Sequence, residues 1–329
     1  MSRDAADAPE LSVIVPAFDA ARTIEVQLGA LLDQRPDHPW EVLVCDNGSS
    51  DGTPDLVRRW GRRMPELRLV DASAVRGPGA ARNAGAAAAR SPRLAFCDAD
   101  DRVGPGWVAG MRRALDVHDV VAGRFETVPT SRWHVAVSWS PQEHGLTALD
   151  LLPGFVTAGA GNLGVRAEAF RSVGGFDPTA AAREDDDLCL RLQLAGYRLA
   201  FDPTLVLRVR RREGVRAVYR QAYAYGAGSR WLEHRYALVA RALPAPTEPG
   251  GRDGETAPVV RATTVASVPR RASALTARAL RKVARLWNPT DVADVVWRAG
   301  WARGRRVVPS TSAPQVPPPG ARSDGRLPS

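Results

Sequence analysis

EVLVCDNGSSDGTP, residues 41–54, passes from an apolar run of strand length into a turn and then into a helix start. EVLVC has the pattern of a buried strand, Gly48 and Gly52 permit positive φ, and Thr53–Pro54 stand in the order of helix cap and first-turn proline. The same alternation repeats on either side. LSVIV (11–15) predicts a strand that stops at Pro16, and Ile24, Leu28, Leu31 and Leu32 then recur at helical spacing behind Thr23 as cap. Leu67–Val70 reads as a third strand. GPGAARNAGAAAAR (77–90) is Ala-rich and helical and is closed by Pro92, and LAFC (94–97) runs straight into DADD (98–101). Strands and helices alternating over short connections imply parallel strands covered by helices. Ligands of such sheets bind beyond the carboxyl ends of the strands. Position alone therefore nominates Phe18–Asp19, Asp46–Thr53 and Asp98–Asp101 as one site.

Further along, the pattern loosens between about 105 and 160. Residues 157–176 are glycine-rich, with one helical turn around Ala167–Val173. EDDDLCLRLQLA (184–195) reads as an amphipathic helix with Leu188, Leu192 and Ala195 on one face and Gly196 at its end. Arg198–Phe201 reads as a short strand. Residues 243–270 have linker composition, 273–287 form a basic helix, and Asn288–Pro289 open another that runs to about Ala302. The Pro/Ser/Gly-rich end, 309–329, is expected to be disordered. The expected division is a catalytic domain at 10–236, a linker at 237–272, a basic helical extension at 273–306 and a disordered tail at 307–329.

Composition narrows the function classes. The chain has 329 residues, 44% hydrophobic and 25% charged, which excludes collagen-like, coiled-coil and wholly disordered proteins. No apolar run is long enough to span a bilayer, and MSRDAADAPE lacks the pattern of a secretory signal. Three scattered cysteines, Cys45, Cys97 and Cys189, predict buried free thiols in a reducing cytoplasm, and the five histidines show no metal-binding spacing. The net charge of +9 is unevenly spread: 23 basic and 28 acidic groups lie up to residue 209, and 22 basic and 8 acidic beyond it. An acidic body thus carries a basic extension.

Four segments can carry chemistry. Asp98 and Asp100 are alternate carboxylates leaving a strand and can converge on one hard divalent cation, Mg²⁺ or Mn²⁺, of the kind that bridges phosphate oxygens. Asp46 begins the Gly-rich turn. Arg82, in a small-residue helix, suits a diphosphate. Glu184–Asp187 stand at a helix N-terminus, where the macrodipole favours them and where one carboxylate can serve as a general base.

Taken together and in order, LSVIVPAFDAARTI, VLVCDNGSSDGT, GPGAARNAG, LAFCDADD, GNLGVRAEAFRSVGGFD and EDDDLCLRLQLAGY resemble the family 2 glycosyltransferases over roughly residues 10–236. The resemblance implies an α/β fold: a single GT-A-type, Rossmann-like domain with a mostly parallel central sheet flanked by helices, here followed by a C-terminal helical extension and tail. It implies that Phe18 lies against the nucleotide base, Asp46 hydrogen-bonds it, and Arg82 sits near base or diphosphate. Asp98 would meet the ribose or diphosphate and share the metal with Asp100. Glu184 and Gly175, the latter in the GGFD turn, would border the substrates, and Asp185 would deprotonate the acceptor hydroxyl. The reaction implied is one inverting displacement that moves a single sugar from a UDP-, GDP- or dTDP-sugar to a glycan or lipid-linked acceptor of the cell envelope.

There are departures. Relatives often carry a His after the last strand, whereas LVLRVRRREG (205–214) offers only Arg208, Arg210, Arg211 and Arg212. The Q-x-x-R-W pattern of processive synthases is missing. Rival readings are a nucleotidyltransferase and a non-enzymatic sugar-nucleotide fold whose basic tail binds nucleic acid or a partner. The tail lacks interleaved aromatic residues, so no nucleic-acid partner is expected. The basic helix either packs its apolar face on the domain or docks peripherally on anionic lipid through 273–306, on the inner face of the membrane.

Overall fold

The apolar runs of the N-terminal half become four parallel strands. The structure, a computed structural model, describes residues 8–128, 141–210, 214–243, 259–261, 289–307 and 315–316. Strands β1 (Leu11–Ala17), β2 (Trp40–Asp46), β3 (Leu67–Asp71) and β4 (Arg93–Cys97) lie in the order β3-β2-β1-β4. Helices α1 (Ile24–Leu32), α2 (Thr53–Gly61) and α3 (Pro78–Ala88) make the crossovers. Successive strand side chains point to opposite faces, so each strand feeds two cores. Val13, Val15, Val42 and Val44 pack with Ile24, Leu28 and Leu56 on one side. Ile14, Leu43, Cys45 and Phe96 pack with Ala81, Phe170 and Phe176 on the other. Burial on both faces is why these strands read as unbroken apolar runs. All three cysteines are buried and free, as expected.

α3 lies hard on this sheet. A Cβ at Gly85 would come within 2.5 Å of an Ile14 methyl and 2.6 Å of the Cys45 sulfur. Gly85→Ala is therefore expected to overpack the core and cost about 1–3 kcal/mol, read as a lower urea midpoint at unchanged m-value.

Two local expectations shift. β1 continues through Pro16 to Ala17, because its pairing with β4 ends at Ile14 and leaves one side free of ladder bonds where proline is tolerated. Gly52, in the left-handed region at φ 85°, occupies the cap of α2 instead of Thr53. The Thr53 hydroxyl instead accepts from the Ala20 N–H at 2.9 Å.

The segment 105–160 holds regular structure that its loose pattern conceals. After β5 (Arg102–Val103) come α4 (Trp107–Val117) and β6 (Val120–Val128), and the second sheet takes β7 (Leu146–Ala148) and β8 (Val156–Thr157). β9 (Asn162–Arg166) inserts antiparallel between β4 and β6. Its glycine removes the alternation by which a strand is recognised. α5 (Ala167–Ser172) and α6 (Glu184–Leu194) follow, then β10 (Leu199–Arg210), which extends well beyond the expected Phe201 and runs parallel to β6. The main sheet is thus β3-β2-β1-β4-β9-β6-β10-β5, mostly parallel, with β9 and β5 reversed.

Helices α7 (Val215–Arg235) and α8 (Ala237–Ala242) close the domain, β11 (Val259–Arg261) joins the small sheet, and α9 (Pro289–Gly304) begins at the expected proline. The 21-residue α7 has no counterpart in the sequence reading. The expected basic helix at 273–287 lies outside the described residues, as does most of the linker and tail. Gln315 and Val316 are described: the Val316 N–H donates to the Arg235 carbonyl at 2.9 Å. Among the described residues no helix is long and apolar enough to cross a membrane.

Candidate active site

The turns after β1 and β2 are laced into one rim. The Asp19 N–H donates to Ser49 Oγ, the Ser50 N–H to Asp19 Oδ1 and the Ala21 N–H to Asp51 Oδ2, at 2.8–2.9 Å. Asp19 sits at φ 46°, a left-handed position held by these bonds. Phe18 stands out from this rim, 55% exposed, with the Arg76 guanidinium 4.9 Å from its ring centroid. Arg76 also donates to the Asn47 carbonyl at 2.9 Å.

Asp46, at the end of β2, is buried. Its Oδ2 accepts from the N–H groups of Gly48 and Ser49 at 3.3 Å, while Oδ1 has no hydrogen-bond partner among the described residues. An unmet buried acceptor costs free energy unless a ligand donor satisfies it.

Arg82 ties two regions together. Its guanidinium donates to Asp98 Oδ1 at 2.6 Å and to Glu184 Oε1 at 2.9 Å, and lies over the Phe176 ring. Burial opposes its charge, but Asp98 and Glu184 outweigh burial and hold it protonated. Arg82 thus reaches a residue 102 positions away in sequence and joins it to the end of β4.

Asp98, Asp100 and Asp101 offer carboxylate oxygens within 4.8 Å of one another. Such hard, anionic donors fit Mg²⁺ or Mn²⁺. Asp101 Oδ1 also accepts from the Arg210 N–H at 2.9 Å, which holds the end of β10 against the cluster. Of the arginines that stand where relatives carry His, Arg208 pairs with Glu126 at 2.8 Å, and Arg211 and Arg212 lie outside the described residues.

The acidic run 184–187 divides into separate tasks. Glu184 pairs with Arg82 and Asp186 with Arg183. Asp187, fully buried, accepts from Arg191, Arg235 and the Tyr236 hydroxyl. Asp185 makes no ion pair among the described residues. Its oxygens accept only backbone N–H groups, from Asp186 at 2.9 Å and Ala160 at 3.4 Å. Burial, reinforced by Asp186 and Glu184, pushes its carboxyl up to about 8. A carboxyl so raised is matched to proton transfer near neutral pH.

Gly175 is placed differently from the other candidates. It turns at φ 69° with its Cα facing inward: a Cβ there would lie 2.7 Å from Asn83 Oδ1 and against the Phe170 ring. Asn83 in turn holds Phe176 through both its backbone groups, at 2.8 and 2.9 Å. Phe18, Asp46, Asp98 and Asp100 lie at or just after strand ends, Glu184 and Asp185 at the start of α6, and Arg82 in the second turn of α3. Sequence reasoning missed Arg76, the share of Asp101 in the cluster and the Arg183 turn. Arg76 stands just before the Gly77–Pro78 helix start, a signal that could have drawn attention to it.

Comparison with known proteins agrees with this fold. The sequence model described as glycosyl transferase family 2 matches residues 12–174. A glycosyltransferase of Haloferax volcanii, AglE, is 38% identical over 93 residues, 28% of this chain and 31% of that protein. The pre-mycofactocin glycosyltransferase of Mycobacterium tuberculosis is 31% identical over 236 residues, 69% of this chain and 48% of its own length. The structure of the mannosyltransferase PcManGT from Pyrobaculum calidifontis, in complex with GDP-Man and Mn²⁺, superposes with a TM-score of 0.56 at 21% identity, over 90% of this chain and 87% of that one. The chain belongs to glycosyl transferase family 2 and has the GT-A fold. It spans less than half the length of the two curated relatives named.

Proposed function

We propose that the protein transfers one sugar from a nucleoside-diphosphate sugar to an acceptor hydroxyl, with inversion, with Asp185 as general base. The observation that carries this reading is the contrast within Glu184–Asp187. Three of these carboxylates are neutralised by arginines, and among the described residues Asp185 alone of the four has no arginine partner and is raised, next to the bridge Arg82 makes from Asp98 to Glu184.

The remaining roles follow the chemistry at each position. Phe18 and the Arg76 guanidinium offer a face for the nucleotide base, and Asp46 Oδ1 accepts a base N–H. Asp98 and Arg82 border the ribose and diphosphate. Asp100 and Asp98, with Asp101, would hold Mg²⁺ or Mn²⁺. A cation bound there supplies positive charge for the diphosphate leaving group. Glu184 keeps Arg82 in place, and Gly175 contributes through the turn that seats Phe176. Asp185 removes the acceptor hydroxyl proton as its oxygen attacks the anomeric carbon from the face opposite the leaving group. Relatives and neighbours named for UDP-GlcNAc, GDP-Man and succinoglycan biosynthesis support a UDP-, GDP- or dTDP-sugar donor and a glycan or lipid-linked acceptor of the cell envelope. A cytoplasmic location, with peripheral contact through the basic C-terminal region, fits an excess of 22 basic over 8 acidic groups beyond residue 209.

The test is thermal shift with UDP-glucose, UDP-GlcNAc, GDP-mannose and dTDP-glucose, with and without Mn²⁺. One donor is expected to raise the melting temperature by several degrees in Mn²⁺, since saturation at about 100 times Kd contributes roughly 2.7 kcal/mol. Asp100→Ala is expected to remove that protection. A wild-type protein indifferent to the whole panel overturns the reading.

A further inference from the structure

α7 grips the base turn from both ends. At Gly228 it comes so close that a Cβ would lie 2.7 Å from the Ala182 carbonyl and 3.0 Å from Arg183 Cγ. Arg183, at φ 64°, is the residue that turns the chain into α6, and its carbonyl accepts from the Asp187 N–H at 3.1 Å to close the first turn. Seven residues after Gly228, Arg235 donates to Asp187 Oδ1 at 2.6 Å and pairs with Asp177 at 3.0 Å. The stretch Arg183–Asp187 is thus caught between two points of one helix. Between those points and the start of α7 lies Tyr225, a partly buried residue whose phenol is pushed up to about 12 by desolvation, with the Asp185 carboxylate adding to the effect.

α7 is itself held by α9. Gly226 lies against the Trp301 carbonyl and Gly304 against that of Tyr223, and a Cβ at Gly300 would be 2.7 Å from the Tyr219 carbonyl. The Tyr225 ring meets Trp297 edge-on, with centroids 5.9 Å apart. Contacts climb both helices together, Tyr219 to Gly300 and Tyr223 to Gly304, so the two run parallel and need the long intervening segment to join them. The macrodipole favours acidic groups in this first turn, but four adjacent carboxylates also repel one another, so contacts from other elements add to what holds it.

We propose that α7 is the seat of the base turn and α9 the brace that fixes the seat, which makes Gly228, Tyr225 and Trp297 positioning residues for Asp185. This inference rests on the transferase reading above. It gives the C-terminal helices, which lie beyond the matched family region, a part in catalysis: they decide where the base carboxylate stands against the acceptor, and leave the nucleotide end of the site to β1, β2 and β4.

The experiment uses the full chain and three variants, Gly228→Ala, Trp297→Ala and Trp297→Phe. Turnover is read as nucleoside diphosphate released from UDP-glucose and GDP-mannose in Mn²⁺, and nucleotide binding by titration with UDP and GDP. Gly228→Ala and Trp297→Ala are expected to lose kcat by roughly 10–100-fold while donor KM stays within about twofold, the mark of a misplaced reacting group. Nucleotide binding should be unchanged, and Trp297→Phe, which keeps an aromatic ring at the crossing, should retain wild-type kcat. Unchanged kcat in Gly228→Ala and Trp297→Ala overturns the inference, as does a rise in KM alone or a loss of nucleotide binding in step with kcat. If Asp185→Asn is inactive while these variants run at full speed, this inference falls and the transferase reading stands. If the wild type binds no nucleotide, both fall.

Discussion

Asp185→Asn is expected to lower sugar transfer by roughly 10²–10⁴-fold, the usual contribution of a positioned general base, while leaving donor affinity intact. Asparagine keeps the shape and its one carbonyl oxygen can still accept one of the two N–H groups that Asp185 takes on separate oxygens, but it cannot take a proton. Kinetics and UDP or GDP titration on the same preparations check both halves. The wild type should also show a pH profile set by this residue. Its carboxyl is raised to about 8, so the active, deprotonated form accumulates as pH rises through that value, and kcat should climb and then level off.

The same shift has a stability consequence of definite sign. Between the ordinary 3.8 and about 8, the native state holds a proton that the unfolded chain releases. Stability therefore declines as pH rises through that window. Asp185→Asn removes the penalty, so its advantage in melting temperature over the wild type should be larger at pH 9 than at pH 5. An advantage that does not grow with pH would show that the carboxylate is not confined as described.

The second large effect is expected at Arg82. Arg82→Ala strands Asp98 and Glu184, carboxylates that now share one buried guanidinium. Removing one partner of a buried charge set typically costs about 3–5 kcal/mol; here Glu184 stays buried without compensation while the Asp98 side chain, 35% exposed, is partly screened by water, so the low end, about 3 kcal/mol, is expected. A fall of that size in urea unfolding is expected, with loss of nucleotide protection. Arg82→Lys keeps the charge but lacks the fork that reaches both carboxylates, and should fall between the two. Near-wild-type stability in Arg82→Ala would mean that the two stations are joined by something other than this side chain.

Much of the site was legible in the sequence because it sits where strands end. Asp46 and Asp98 stand at the ends of strands whose apolar runs are unmistakable, and the acidic start of α6 comes nine residues after the Gly174–Gly175 turn. The elements that were missed share one property. β9 is glycine-bearing, α4 and β6 lie in a stretch without clear periodicity, and α7 mixes tyrosine, arginine and glycine on faces set by its neighbours. In each, the residue pattern records contacts with distant chain instead of a local period. Arg76 was passed over, and Asp101 was nominated with its neighbours but given no part in the cluster, for a similar reason: only the folded chain shows Arg76 over Phe18 or Asp101 bonded to the backbone of Arg210.

The sequence alone determined the alternation of strand and helix, the sheet edge proposed for the ligand, and two acidic segments far apart in the chain. These follow from periodicity and turn chemistry, which act over a few residues and leave their mark in order along the chain. It could not determine which member of Glu184–Asp187 is free to act. Four neighbouring carboxylates are nearly equivalent as text. They become unequal only when Arg82 from α3, Arg183 from the turn, Arg191 from the same helix and Arg235 from α7 converge and neutralise three of them. Charge pairing and desolvation act through space over a few ångströms, and only the tertiary structure sets those distances.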